Sequence, residues 1–381
     1  MRVFAWIVVG LLLLFTVRRY LYWIASLLPP KSHAASRTRT ISVLVAARNE
    51  ASLLPRLLAA LDRLDYPGSL LRFVLVDDGS TDSTGGLMRE WTKTRTNALA
   101  LSLPLNSGKA RALEAALSVA PASELVAVLD ADTEPEPDAL AWLAGAFNDS
   151  RVGAACGYPR PGNADASVAS RYAAMERWVF HLVTLAGKDR MGMNPPAIGA
   201  LCMIRREALS AIGGFPTDAV AEDICVSVEL VKRGWRTRWI REAVTREDAA
   251  DDVSTFRRQR QRWSRGLLAS GSRAGGFEDL IVALGYLDRL VFSAAVILAA
   301  TGWIPAWLPA SYAVAPLISV VTALWRAGIH DPLPFVSALP PMIVVDLAVT
   351  AASVLTHVRG MPVRWTERPA RPDRTDYEAL T

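Results

Sequence analysis

Two regions of this chain are too long and too apolar to be ordinary elements of a water-soluble core, and that limits the fold before any motif is considered. The first runs from Val3 to Val17 without a charge, passes Arg18 and Arg19, and continues from Tyr20 to Leu28 before Pro29-Pro30. The second occupies about 287 to 358. Within it, Leu290 to Pro309 is a run of twenty residues with no charge. At about 1.5 Å per residue, a helix of that length crosses a hydrocarbon core of about 30 Å, so a membrane helix is expected there. Ser311–Trp325 is shorter, and Pro332–Val358 is longer but contains Pro340-Pro341 and Asp346. Apolar residues make up 51% of the 381, which is high for a wholly soluble protein. Setting the two regions aside leaves one soluble domain of roughly 200–250 residues, enough to bury a core.

Charge supplies the orientation. Only Arg2 precedes the first apolar run, whereas Arg18, Arg19, Lys31, Arg37 and Arg39 follow its first part, and cationic flanks stay cytosolic. An uncleaved anchor with a cytosolic domain downstream is therefore preferred over a signal peptide, for which His33-Ala34-Ala35-Ser36 would be the cleavage stretch. A cytosolic basic tail (Arg359, Arg364, Arg368, Arg371, Arg374) requires an even number of later passes. Three apolar blocks meet that only if one is re-entrant or interfacial, or if Pro340-Pro341 splits the last. Asp346 marks either an ion path or a bend at an interface. The expected organisation is an anchor and basic linker over 1–39, a soluble domain over 40–250, interfacial amphipathic helices over 251–286, membrane helices over 287–358 and a basic tail over 359–381. Cys156, Cys202 and Cys225 form no CxxC pair, which favours reduced thiols over disulfides or zinc. The net charge of +5 comes mostly from the membrane-flanking arms and the run near 257–265, so the partner it suggests is anionic lipid and not nucleic acid.

The soluble part alternates. Ile41–Ala46 reads as a strand; Asn49-Glu50 then opens a helical pattern through Leu53, Leu54, Leu57, Leu58 and Leu61. Leu71–Val76, Asn97–Leu103 and Leu125–Leu129 are further strands, with helices over Thr81–Thr92 and Lys109–Val119. Such alternation predicts an α/β fold with a mostly parallel sheet, whose ligands bind beyond the carboxyl ends of the strands.

Polar clusters fall at those ends. Asp77-Asp78-Gly79-Ser80 follows one strand; its carboxylates can accept from a uracil N–H or a ribose hydroxyl, or simply cap the next helix. Ala46-Ala47-Arg48-Asn49-Glu50 stands at the neighbouring strand end. Asp130-Ala131-Asp132 would put two carboxylates on one side of an extended segment, which suits a divalent cation held with diphosphate oxygens, or else forms a solvated acidic turn. Asn106-Ser107-Gly108-Lys109 opens a helix toward phosphate or base. Glu222-Asp223 follows the turn-rich Gly213-Gly214-Phe215-Pro216 and offers a base for an attacking hydroxyl, or an acidic helix start. Gln259-Arg260-Gln261-Arg262-Trp263 lies in a basic helical run, where arginine can pair with diphosphate and tryptophan can stack on a sugar, and which can equally lie on a membrane.

The order of these clusters resembles the membrane-integrated family 2 glycosyltransferases, the group of cellulose, chitin, hyaluronan and poly-N-acetylglucosamine synthases and ceramide glucosyltransferases, from about Ile41 to Gly266. The resemblance implies a GT-A nucleotide-sugar-binding fold, a UDP-sugar donor and a Mg²⁺ or Mn²⁺ ion. It implies nucleoside contacts at Glu50, Asp77 and Asp78, with Lys109 near the nucleotide. Asp130 and Asp132 match the DxD pair, with Asp132 the metal ligand. Asp223, beside Glu222, matches the presumed base of the TED motif; Gln259, Arg262 and Trp263, with Arg260 between them, match Q-x-x-R-W on the acceptor and diphosphate side. Gly199-Ala200 with Arg205-Arg206 is similar to the stretch lining the acceptor site. Ala221 stands where threonine is usual, and Ala46 where a proline often precedes Asn-Glu. The implied activity is inverting transfer onto a growing polysaccharide at the membrane. A single transfer to a lipid acceptor, or a non-catalytic nucleotide-sugar-binding scaffold, are the alternatives.

Overall fold

The computed structural model describes residues 2–31, 33–197, 200–217, 221–271 and 288–359. In chain order these form α1 (Arg2–Leu27), β1 (Ile41–Ala47), α2 (Leu54–Asp62), β2 (Leu71–Asp78), α3 (Thr84–Lys93), β3 (Ala98–Leu103), α4 (Lys109–Val119), β4 (Leu125–Asp130), β5 (Glu134–Pro135), α5 (Ala139–Ala146) and β6 (Val152–Pro161). There follow α6 (Val168–Val179), a π-helical segment Phe180–Leu185, α7 (Ala186–Met191), β7 (Leu201–Arg205), α8 (Arg206–Ala211), α9 (Glu222–Lys232) and β8 (Arg236–Glu247). The last are α10 (Val253–Gly271), α11 (Asp288–Ala300), α12 (Trp307–Arg326), α13 (Leu333–Ser337) and α14 (Leu339–Val358). They gather into two compact units: a sheet unit over Ser32–Arg160 and Pro196–Glu247, and a helical unit built from Met1–Lys31, Pro161–Pro195 and Asp248–Arg364.

In the sheet unit the strand order is β3-β2-β1-β4-β7-β6-β8-β5. The first four strands are parallel, with Val43 beside both Phe73 and Ala127. Val43, Leu44 and Val45 are all fully buried, as befits a central strand covered on both faces. Ala46 lies beside Asp130 and Ala47 beside Asp77, so the acidic strand ends share one edge of the sheet. Beyond β4 the sheet turns antiparallel, Val128 facing Cys202 and Cys156 also facing Cys202. The helix expected from Thr81 starts three residues later. Residues 81–84 are drawn into a turn in which Asn49 Oδ1 accepts from Thr81 N at 2.9 Å and Asp82 Oδ1 accepts from Thr84 N at 2.9 Å. Asn49 pays for that contact with a left-handed backbone, φ 54°, and α2 accordingly begins at Leu54.

In the helical unit the uncharged run Leu290–Pro309 is not one helix. α11 ends at Ala300; Trp303 N–H closes back on Leu298 O at 2.8 Å, Gly302 takes φ +76°, and Pro305 follows. A left-handed glycine and a proline just beyond it stop a helix irrespective of hydropathy. The chain resumes as α12, which absorbs the block that reads as short in the sequence. The last block is divided at Ala338 into α13 and α14, directly ahead of Pro340-Pro341, which sit in the first turn of α14, where a missing N–H costs no hydrogen bond. Among the described residues three helices are long and apolar enough to cross a membrane: Arg2–Leu27, Trp307–Arg326 and Leu339–Thr356. Leu12 and Phe15 of α1 are fully buried in a cluster with Ala295, Leu298 and Tyr312. Trp23 Nε1 donates to Thr322 Oγ1 at 2.9 Å, and Arg326 donates to Ser26 O and Leu182 O, both at 2.6 Å. Asp346, fully buried, is ion-paired with two arginines, Arg260 (Nε at 3.1 Å) and Arg289 (Nε at 2.9 Å), and accepts from Tyr172 Oη at 3.3 Å; Glu176 pairs with the same two arginines. Two anions against two cations make this network neutral, which is how a buried carboxylate in an apolar block is tolerated.

Candidate functional site

At the carboxyl edge of the sheet unit, two aspartates organise the backbone. Asp77 Oδ1 accepts from Ser80 N at 3.0 Å, and its other oxygen lies so close to Gly85 of α3 that a Cβ there would meet it at 2.2 Å. Asp78 is spent on the next loop: Oδ1 accepts from Ser107 N and Ser107 Oγ, each at 2.7 Å, and Oδ2 from Gly108 N at 2.8 Å. Between them Gly79 runs at φ +67°, and a Cβ on it would lie 2.6 Å from Leu105 C. The cluster therefore works first as a clasp that fixes the loop leading into α4. Glu50 stands beside it, its N–H donating to Thr84 Oγ1 at 2.9 Å.

That clasp delivers Lys109, the first residue of α4, into a group of carboxylates. Lys109 Nζ is 2.7 Å from Asp130 Oδ1 at the end of β4 and 2.9 Å from Glu222 Oε1 at the start of α9. Burial alone would lower the lysine's pKa, but Asp130, Glu222 and Asp223 outweigh it and hold it well above the usual range. Asp223 is pushed the other way. Its burial, then the neighbouring Glu222 charge, raise it to about 6, against the opposing pull of Lys109 and a 2.8 Å hydrogen bond from Ile224 N. A carboxyl that titrates near neutrality is what proton abstraction at neutral pH requires.

Asp130 and Asp132 do not both lie on extended chain. Asp130 ends β4, and Thr133 N–H returns to Asp130 O at 3.1 Å, so Ala131 and Asp132 are in a turn. Asp130 faces the lysine, and Asp132, the second carboxylate of the DxD match, follows it in the turn. Among the described residues no three His, Cys, Asp or Glu side chains gather around a metal position. That is compatible with Mg²⁺ or Mn²⁺, which are commonly held by one or two carboxylates with phosphate oxygens supplying the rest.

Other expected contacts lie elsewhere. Gly199 is outside the described residues, and Ala200 accepts from Asp130 N at 3.3 Å. Arg205 and Arg206 are at the opposite edge of the sheet: Arg205 faces Leu125 at the start of β4 and donates to Val152 O and Phe147 O, each at 3.0 Å, while Arg206 donates to Pro121 O at 3.0 Å. They brace loops there. In the helical unit, Gln259 and Arg262 are half-buried on α10 and Trp263 is exposed. Arg260 is buried, committed to Glu176 and Asp346, with its guanidinium over the Phe256 and Trp263 rings. It is an anchor of α10. Stretch 272–287 and the tail beyond Arg359 lie outside the described residues.

The profile of the family described as "Glycosyl transferase family group 2" matches residues 125–349. Two curated relatives are similar over more than half of the chain. A probable glycosyltransferase, YdaM, of Bacillus subtilis is 30% identical over 229 residues, covering 59% of this chain and 54% of its own length. An N-acetylglucosaminyltransferase of Mesorhizobium japonicum is 32% identical over 239 residues, covering 59% and 55%. The chain thus spans about half the length of the curated relatives it matches. Among solved structures, a mannosyltransferase from Pyrobaculum calidifontis, in complex with GDP-Man and Mn²⁺, aligns with a TM-score of 0.58 at 23% identity, covering 93% of this chain and all of that one. The likeness is one of fold.

Proposed function

The chain belongs to glycosyl transferase family group 2, and from that premise we propose that it is a membrane-anchored, inverting glycosyltransferase that moves a sugar from a UDP-sugar onto a polysaccharide growing at the membrane. The observation that carries the reading is the half-buried Asp223 next to Glu222, in the group where Lys109 Nζ lies 2.9 Å from Glu222 and 2.7 Å from Asp130, an environment that raises Asp223 to about 6. In the reaction Asp223 takes the proton of an acceptor hydroxyl, the oxygen attacks the anomeric carbon, and the nucleoside diphosphate leaves from the opposite face, so the anomeric configuration inverts. Lys109 holds Asp130 and Glu222 in place around the base. Asp132 is the residue that would hold Mg²⁺ or Mn²⁺, whose chemistry is to neutralise charge on the departing diphosphate. Glu50, Asp77 and Asp78 are assigned to the nucleoside end, where the backbone shaped by the two aspartates carries the contact. Gln259, Arg262 and Trp263 are assigned to diphosphate and acceptor on their match to Q-x-x-R-W.

The topology that fits is a cytosolic catalytic domain after α1, two later spans, and a return of the basic tail to the cytosol. A second reading, a single transfer to a membrane lipid, is favoured by the small number of candidate spans, since a lipid acceptor reaches the site without a channel.

The test is transfer by the full chain purified into lipid, offered UDP-sugars beginning with UDP-N-acetylglucosamine, the sugar in the name of the Mesorhizobium relative, with GDP-mannose as the control for the base. One UDP-sugar is expected to be consumed with Mn²⁺ or Mg²⁺, with Asp132→Ala and Asp223→Asn inactive and the product anomer inverted by NMR. Long labelled chains or a singly glycosylated lipid separate the two acceptors. If no donor is consumed with membranes supplied as acceptor, the scaffold reading replaces this one; if both variants match an active parent, Asp132 and Asp223 are structural and the site assignment falls.

A further inference from the structure

Helix α4 is held on one side by the nucleotide-end clasp, through Asp78 and the Ser107–Gly108 backbone, and its first residue grips Glu222. A further contact on the same helix belongs to neither. Glu114 Oε2 accepts from the backbone N–H of Phe215 at 2.8 Å. Its carboxylate lies against Gly214, where a Cβ would come within 2.6 Å of Oε2 and 2.8 Å of Oε1. Gly213 and Gly214 take φ +87° and +90°, a backbone that other residues rarely adopt, so the turn is built to let the carboxylate in. Phe215 is buried, and a half-buried carboxylate needs such a charge-assisted partner to offset its lost hydration.

We propose that Glu114 is a positioning residue for the base: α4 holds the Gly214-Phe215 turn through Glu114 and the first turn of α9 through Lys109 and Glu222, and these two holds together keep α4 and the start of α9 in register, and with them the Asp223 carboxylate. The proposal rests on the reading of Asp223 as the base. One rigid helix then links the loop clasped by Asp78 to the residue that takes the proton, and Glu114 serves the reaction without touching the substrate.

The experiment compares Glu114→Ala and Glu114→Gln in the full chain in lipid, with Asp223→Asn alongside, measuring kcat, donor KM and the affinity and stoichiometry of UDP binding. Misplacement of a reacting group by about 1 Å costs up to ~100-fold. Glu114→Ala is therefore expected to lower kcat at least about tenfold, with donor KM and UDP affinity within about twofold of the parent. Glu114→Gln keeps an acceptor oxygen for Phe215 N–H and is expected to recover most of that loss. UDP stoichiometry counts folded sites, so a variant that merely unfolds loses sites in place of turnover per site. The proposal is overturned if Glu114→Ala turns over like the parent, if alanine and glutamine are equally impaired, or if UDP affinity falls in step with kcat. An active Asp223→Asn instead removes the base assignment, and this proposal with it, whatever Glu114 does.

Discussion

Replacing Lys109 by methionine removes the cation that pairs with both Asp130 and Glu222 while keeping about the length of the side chain. The Asp130 pair is about a third exposed on its acidic side, 35%, and such a pair contributes up to ~1 kcal/mol. The Glu222 carboxylate is only 9% exposed, and stranding a buried partner costs about 3 kcal/mol at the low end. The expected loss is thus about 3–4 kcal/mol, or roughly 6–16 °C in midpoint for a unit of this size. The sign of the pH dependence follows from linkage. In the parent the lysine's raised pKa keeps its stabilisation intact at every pH below the ordinary lysine range, to be lost only as pH climbs through the raised value. In the variant Asp223 loses the Lys109 charge that opposes its upward shift, its folded pKa rises further, and the folded state holds that proton to higher pH than the unfolded one. Stability relative to the parent therefore falls as pH rises from about 4. Thermal unfolding in detergent at pH 5 and pH 8 reads this directly. A deficit that is the same at both pH values means the lysine acts by packing, and the electrostatic account of the site is wrong.

Three further outcomes are expected. Because a base must be ionised and burial raises Asp223 to about 6, kcat/KM should rise with pH through about 6 and level off above it; a profile already flat at pH 5 excludes Asp223 as the titrating base. Asp346→Asn leaves the buried Arg260 and the half-buried Arg289 under-compensated and should cost about 3 kcal/mol in unfolding free energy, whereas Asp346→Leu with Arg289→Leu restores charge balance and should recover most of it; equal losses refute the ion-network reading. Gly79→Ala combines a left-handed backbone with a Cβ 2.6 Å from Leu105 C, so a loss of about 1–3 kcal/mol and weaker UDP binding are expected by calorimetry, and an unchanged variant would show that the clasp yields.

The parallel half of the sheet is legible in the sequence because its strands are short, the inner ones β1, β2 and β4 largely buried, and the elements alternate strand and helix. Lys109–Val119 is read with the bounds it has, and the three acidic clusters fall at the ends of β1, β2 and β4. Where the reading slips, a local hydrogen bond has overridden a pattern. Asn49, Asp82 and Thr84 consume the residues from which α2 and α3 were expected to grow. Gly302 ends a helix that hydropathy alone extends to Pro309, although a glycine and a proline inside the run carried the signal. Extended alternation across Asp130-Ala131-Asp132 fails for a similar reason, since the chain turns at the very strand end where the ligand edge lies.

The antiparallel half and the helical unit are harder to read because their partners are distant in sequence. Arg205-Arg206 sits at a strand end like the other polar clusters, but β7 runs against β4, so its end is the opposite edge of the sheet; direction, which one-dimensional pattern does not encode, decides which edge a residue reaches. Asp346 has the same difficulty. As a lone acid among apolar residues it reads as an ion path or a bend, and only the arrival of Arg260 and Arg289 from two other helices makes it half of a neutral pair of pairs. The same partnership reassigns Arg260, which the Q-x-x-R-W stretch presents as one more basic residue for diphosphate. On a helix, Gln259, Arg262 and Trp263 are separated from it by steps of about 100° per residue. One arginine of the run is thus buried to hold α10, while Gln259 and Arg262 on either side of it are half-buried and Trp263 is exposed.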